Sequence, residues 1–162
     1  DVVTVVAAAC GAEPGEVELM LSSVSAGDHR VRRAGEAPAT HATVVAVPQL
    51  PLDQALRDAK GDAAKVALVW VDTQGHEPSV LAGAVDTIAS GAPFIIEFWP
   101  EQYRDAGTLE GLLVTLAASF RGYVDVRDPA LAEHPTSDLR ALAERLLGQW
   151  HGQTDLVLLP NT

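Results

Sequence analysis

The chain has 162 residues, 48% of them hydrophobic, 20% charged and 5% aromatic, which fits one globular domain and is too apolar for a disordered chain. With 11 Lys and Arg against 22 Asp and Glu, the formal net charge of −11 argues against a phosphate-neutralising nucleic-acid surface and against docking on an anionic membrane. The single cysteine, Cys10, rules out an intramolecular disulfide framework and a multi-cysteine zinc site; it is compatible with a reducing compartment, and a cytoplasmic location is expected. No apolar run approaches the roughly 18 residues of a membrane-spanning helix.

Residues 2–6 are β-branched and nearly continuous and predict a buried strand, ended by turn signals at Gly11 and Pro14-Gly15. Residues 16–21 alternate, with Val17, Leu19 and Leu21 on one face, and predict a half-solvated strand paired with the first. The polar, basic stretch 22–40 reads as a long loop, a length often functional. Residues 42–47 form a short strand candidate. Leu52, Ala55, Leu56 and Ala59 follow at helical spacing, stopped by Lys60-Gly61-Asp62. Residues 66–71 form a continuous apolar run, the pattern of a strand covered on both faces, with Trp70 inside it expected to pack in the core. After a turn, Pro78 suits a first helical turn, and Val80, Leu81, Ala84, Val85 and Ile88 make one apolar helix face. A strand at 93–96, a helix through Leu109, Leu112, Leu113, Leu116 and Phe120, and a strand at 122–126 follow. A helix through Leu139, Leu142, Leu146, Leu147 and Trp150 and a last strand at 156–159 complete the chain. This alternation predicts an α/β sheet with helices on both faces.

Ligands of such sheets sit beyond the carboxyl ends of the strands, which gives weight to residues 8–11, 72–77 and 97–100. Asp72 closes an apolar strand, where a carboxylate gains little for packing, so a site role is expected. If the strands before Asp72 and Glu97 are neighbours, the two carboxylates share a crevice. His76, whose ordinary pKa is about 6.5, is either a general base or a capped loop histidine. Glu77 either offsets a helix dipole or contacts substrate, and Gln74 sits on the same loop. Trp99 either stacks on a flat ligand or packs. The cluster His29-Arg30-Val31-Arg32-Arg33 is a candidate substrate loop for a carboxylate or phosphate, or a solvated face. Cys10 reads as a packed thiol. His29, His41, His134 and His151 are scattered without ligand spacing, and no metal site is expected. Neither a Gly-x-Ser-x-Gly elbow nor a phosphate-binding Gly-x-x-x-x-Gly-Lys loop is present.

The segment VALVWVDTQGHEPSVLAGA, residues 66–84, resembles the signature of FkbM-type S-adenosylmethionine-dependent methyltransferases, in which a hydrophobic strand runs into Asp-x-(Glu/Gln)-Gly-x-Glu and a Val-Leu-x-Gly-Ala helix. Leu50-Pro51-Leu52-Asp53 is similar to the family's Thr-Leu-Asp helix start, and residues 9–21, 93–100 and 154–160 also resemble it. The resemblance implies a Rossmann-like methyltransferase fold lacking its first two strands and their helices, with residues 1–162 forming a single α/β domain, the C-terminal part of the methyltransferase domain. It implies Asp72, His76 and Glu97 as catalytic residues orienting or deprotonating an acceptor oxygen. Ala9, Cys10 and Asp72 would border S-adenosylmethionine, and Gln74, Glu77, Trp99 and Arg30 would meet the acceptor, a sugar, lipid or secondary-metabolite hydroxyl or carboxyl. Two departures stand out. Trp70 replaces a lysine that many members carry, and no Gly-rich cofactor loop or ribose-binding acid is found in these residues. The isolated chain is therefore expected to be inactive and to self-associate through incomplete sheet edges, with O-methyl transfer expected of the parent protein. The alternative is a non-catalytic α/β binding module; a hydrolase using Asp72 and His76 lacks a nucleophile or metal.

Overall fold

The computed structural model describes residues 3–33, 35–37 and 42–161. His41, and residue 2 of the strand expected at 2–6, lie outside them. The chain forms a mixed α/β fold with two mixed sheets and six α-helices among the described residues.

The first sheet holds β1 (Ala9–Cys10), β2 (Gly15–Leu21), β3 (Arg30–Val31) and β4 (Thr43–Leu50), in the order β1-β4-β2-β3. The expected strand at 2–6 is not found: residues 3–7 have no strand structure, and Val3, Val5 and Val6 are exposed. A β-branched run becomes a strand only where another strand offers hydrogen bonds, and here the first such offer comes at Ala9, opposite Gln49. The long strand β2 consequently pairs antiparallel with β4, from Gly15 opposite Gln49 to Leu21 opposite Thr43, rather than with the N-terminal segment. Its most buried side chain is Met20, on the face opposite Val17, Leu19 and Leu21.

The second sheet holds β5 (Val69–Val71), β6 (Phe94–Phe98), β7 (Phe120–Asp125), β8 (Glu133–Pro135) and β9 (Thr154–Pro160), in the order β5-β6-β9-β7-β8. Strands β5 and β6 are parallel, and β9 inserts antiparallel between β6 and β7. The core lies on this sheet. Phe94, Ile96, Phe98, Leu156 and Leu158 are fully buried there, with Phe120 meeting Phe94 edge-to-face at 5.7 Å. Burying side chains of this size stabilises the fold by roughly 1.5–3 kcal/mol each. Helices α5 (Leu109–Ser119) and α6 (Leu139–Leu147) cover it through Leu112, Leu113 and Leu116, and through Leu139, Leu142 and Leu146.

Three expectations are corrected here. The strand at 66–71 shrinks to β5, an edge strand whose outer side has no strand partner among the described residues, and Trp70 is 68% exposed instead of packed. Trp150 lies past the end of α6 and is exposed as well. The helix expected from Pro78 through Ile88 is two helices, α2 (Glu77–Ala82) and α3 (Val85–Ala89), which leaves Val85 exposed. The break falls at Gly83, where a Cβ would overlap the Gly11 carbonyl oxygen and approach Pro51 Cα to 3.0 Å. Only glycine lets α2 come this close to the turn after β1.

That contact ties the two sheets together. Helix α1 (Leu52–Asp58) follows β4 directly, and its Asp53 N–H donates to the Gly83 carbonyl at 3.1 Å. The buried Asp53 carboxylate accepts from Asp86 N–H at 2.7 Å, Thr87 N–H at 3.0 Å and Thr87 Oγ1 at 2.6 Å. It thus satisfies the N-terminal donors of α3 from another element, in place of a local cap.

Candidate functional site

Beyond the carboxyl ends of β5 and β6, the chain gathers its acids. Val71 pairs with Ile96, so Asp72 follows β5 beside Glu97, and Glu97 in turn sits opposite Asp155 of β9. Three carboxylates stand in a row across three neighbouring strands. Asp72 is exposed, while Glu97 is 8% exposed. The Gln74 amide joins the first two, with Nε2 donating to Asp72 Oδ1 at 2.7 Å and to Glu97 Oε2 at 3.1 Å.

Electrostatics follow from that placement. Burial pushes the Glu97 carboxyl up to about 7, helped by the charges of Asp72, Glu77 and Asp155 and opposed by the Gln74 hydrogen bond. Asp155 is also raised, by burial and by Asp72. A carboxyl titrating near neutrality is able to hold or take a proton at working pH.

The loop that presents these groups is held from within. Glu77 is fully buried, and its carboxylate accepts from Thr73 N–H at 2.7 Å, Thr73 Oγ1 at 2.9 Å and Gly75 N–H at 2.9 Å. Glu77, expected at the acceptor, has both its oxygens engaged by this turn. Gln74 and Gly75 adopt left-handed φ angles of 53° and 97°. Such a conformation at a residue other than glycine costs on the order of 1 kcal/mol or more and persists where the surroundings over-determine it. Below, Tyr103 of α4 (Pro100–Asp105) is fully buried and its hydroxyl donates to the Glu97 carbonyl.

His76 is half-buried, and burial lowers its pKa, so the ring is neutral at pH 7. Its Nε2 faces Gln49 Oε1 at 3.3 Å, while Gln49 Nε2 donates to the Glu13 carbonyl at 2.8 Å. Gln49 was not foreseen. It sits on Gly11, where a Cβ would overlap its side chain, and nothing in the strand pattern of β4 marks it out. Ala9 and Cys10 pair with Gln49 and Leu50 in β1, and Cys10 packs against the core with its thiol pKa raised by burial.

Trp99 precedes α4, half-buried, edge-on to His151 at 6.0 Å; its Nε1 is buried without a partner among the described residues. Arg30 is taken up by a bidentate pair with Glu36, whose carboxyl these hydrogen bonds hold at about 2. Arg33 instead reaches the site, with Nη2 donating to the Gln102 carbonyl at 3.1 Å and to its side-chain oxygen. His29 closes its own loop, accepting from Ser22 N–H at 3.1 Å. No group of three His, Cys, Asp or Glu side chains is placed to hold a metal ion among the described residues, and no helix is long and apolar enough to cross a membrane.

Acids gathered at adjacent parallel strand ends, on a loop held by its own buried carboxylate, occupy the position at which ligands of α/β sheets generally bind. The particular family follows from the sequence: the model of the Methyltransferase FkbM domain matches residues 2–124, and the chain belongs to that family, which points to a methyltransferase. Comparison with curated proteins and with solved structures gave no match.

Proposed function

We propose that this chain carries the acceptor side of an S-adenosylmethionine-dependent O-methyltransferase, with a hydroxyl or carboxyl of a sugar, lipid or secondary metabolite as acceptor. The observation that carries the reading is the Gln74 bridge between Asp72 and Glu97, with Glu97 titrating at about 7. We read β5-β6-β9-β7 as half of a Rossmann-like sheet, with β9 as its antiparallel strand.

The residues present fit the acceptor side better than the donor. Ala9 and Cys10 are committed to β4 and the core, and no Gly-rich loop follows a strand, so the described residues do not make a whole nucleoside site. When bound, the sulfonium donor supplies an already activated methyl group. What this chain adds is alignment of an acceptor oxygen and a place for its proton. Asp72 orients the hydroxyl from the exposed end, and Glu97 takes the proton. Gln74 bridges the two carboxylates through one nitrogen and so fixes them side by side. His76, neutral and held on Gln49, stands as the second base.

The test uses the full-length protein, methyl-labelled S-adenosylmethionine and a panel of hydroxylated acceptors. Asp72→Asn and Glu97→Gln are expected to lower label transfer about 100-fold with folding intact, the scale of a lost general base. Wild-type transfer in Asp72→Asn would overturn the role of Asp72. No transfer to any acceptor, together with no rise in melting temperature on adding S-adenosylhomocysteine, would favour a non-catalytic module instead.

A further inference from the structure

A cavity of about 320 Å³ opens beside the carboxylate row, lined in part by Arg32, Arg33, Gln74, Gly75, His76 and Ser79. Two arginines line it, Arg32 and Arg33, while Arg30 of the same cluster lines a separate cavity, and the three are not equivalent. Arg30 is neutralised by Glu36. Arg32 is neutralised by Glu18 and also donates to the Glu36 carbonyl. Arg33 bonds only to the two neutral oxygens of Gln102, through Nη2, and has no carboxylate partner for its guanidinium among the described residues. A guanidinium in contact with no carboxylate among the described residues, and felt by Glu36 only as a nearby charge, stands out in a chain of net charge −11.

The Arg33 head group is also held in place. Its backbone N–H donates to Glu36 at 3.1 Å, Gln102 anchors Nη2, and a Cβ built on Gly75 would lie 3.6 Å from that nitrogen. The guanidinium thus stands over the loop that carries Asp72 and Gln74. Gln74 is the link, because it lines the cavity and its amide reaches both Asp72 and Glu97.

We propose that the cavity binds a carboxylate of the acceptor, with the Arg33 guanidinium as its partner, so that the acceptor is a hydroxy acid whose hydroxyl is directed past Gln74 to Asp72 and Glu97. The inference rests on the methyl-transfer reading for the identity of the bound molecule. One guanidinium with no carboxylate in contact matches a monoanion, and with Nη2 committed to Gln102 it has Nε and Nη1 left to donate. Beyond Gln74, the carboxylates of Asp72 and Glu97 repel the same group. A hydroxy acid therefore enters in one orientation, anion at Arg33 and neutral hydroxyl at the acids.

The probes are glycolate and its neutral counterpart, ethylene glycol, titrated into the isotope-labelled chain and followed by amide resonances. Glycolate is expected to move Gly75 and His76 saturably, and ethylene glycol not to do so. Arg33→Gln is expected to weaken glycolate about tenfold or more, as for the loss of a charge-assisted hydrogen bond. Binding within twofold of wild type in that variant, or equal saturation by ethylene glycol, would overturn the proposal. A second measurement needs no variant: glycolate is expected to protect Arg33 from phenylglyoxal, mapped by mass spectrometry, and absence of protection is equally fatal. S-Adenosylhomocysteine binding and label transfer are read separately. Their failure with glycolate still bound removes the methyl-transfer reading, whereas loss of glycolate binding alone removes only the carboxylate site.

Discussion

Glu97 shows how one side chain takes its chemistry from its neighbours. A glutamate at the end of a central strand would ordinarily ionise near 4.5, but burial among Asp72, Glu77 and Asp155 moves the folded-state value to about 7. The folded state then holds a proton more tightly than the unfolded chain. The associated stability is fully present below about pH 4.5 and is lost as pH rises through 7. Urea unfolding of the wild type is expected to weaken by about 2 kcal/mol across that window relative to Glu97→Gln, which lacks the titrating group. Parallel pH curves for the two proteins would refute the assignment. Asp72 and Glu97 were legible as site candidates because carboxylates that close apolar strands gain nothing by packing. Their bridge was not legible. It depends on Gln74 taking a left-handed φ, which no spacing in the sequence announces. The same holds for the arginines: their cluster is plain in the sequence, but which of them keeps a free charge depends on where Glu18 and Glu36 fall.

Asp53 plays the corresponding part among elements. It begins α1 yet satisfies α3 through its carboxylate, while its backbone N–H holds the glycine between α2 and α3, so one residue fixes both places. Asp53→Ala is expected to cost about 2–3 kcal/mol in urea unfolding, the sum of a lost cap and a stranded buried hydroxyl on Thr87. Asp53→Asn, which keeps an acceptor, is expected to cost less; equal losses would count against the capping account. Elements with a long, regular period were readable in advance, including β6, α5 and β9. Others were not, for physical reasons. The apolar stripe from Val80 to Ile88 is continuous in sequence, but a steric limit at Gly83 divides it. Strand β8 has three residues and helix α4 six, too short for a period to emerge.

For the molecule as a whole, the outer side of β5, which has no strand partner among the described residues, bears on behaviour in solution. Leu68 and Trp70 are exposed there, and an open strand edge beside apolar side chains is a template for pairing. A second copy of this chain is the expected partner, held off at low salt by repulsion between molecules of charge −11. Sedimentation is expected to show self-association that grows between about 50 and 500 mM salt as screening shortens the range of that repulsion. Trp70→Lys is expected to reduce it. A monomer at all salt concentrations would show that this edge is protected. The mixed α/β class was legible from alternating strand and helix signals, but the division into two sheets was not. It is decided by β4, which bonds to both β1 and β2 and holds the first sheet together apart from the second.

The segment between β2 and β4, which itself carries the two-residue strand β3, begins and ends at directly paired positions, Leu21 opposite Thr43. Its two ends are therefore fixed by the sheet whatever its length, and doubling such an excursion costs only about 0.6 kcal/mol in closure entropy. Arg33 rides on this excursion, while Asp72 and Glu97 belong to the other sheet. On the proposed function, the stretch that would meet the acceptor is thus open to exchange without disturbing the acids proposed to take the proton.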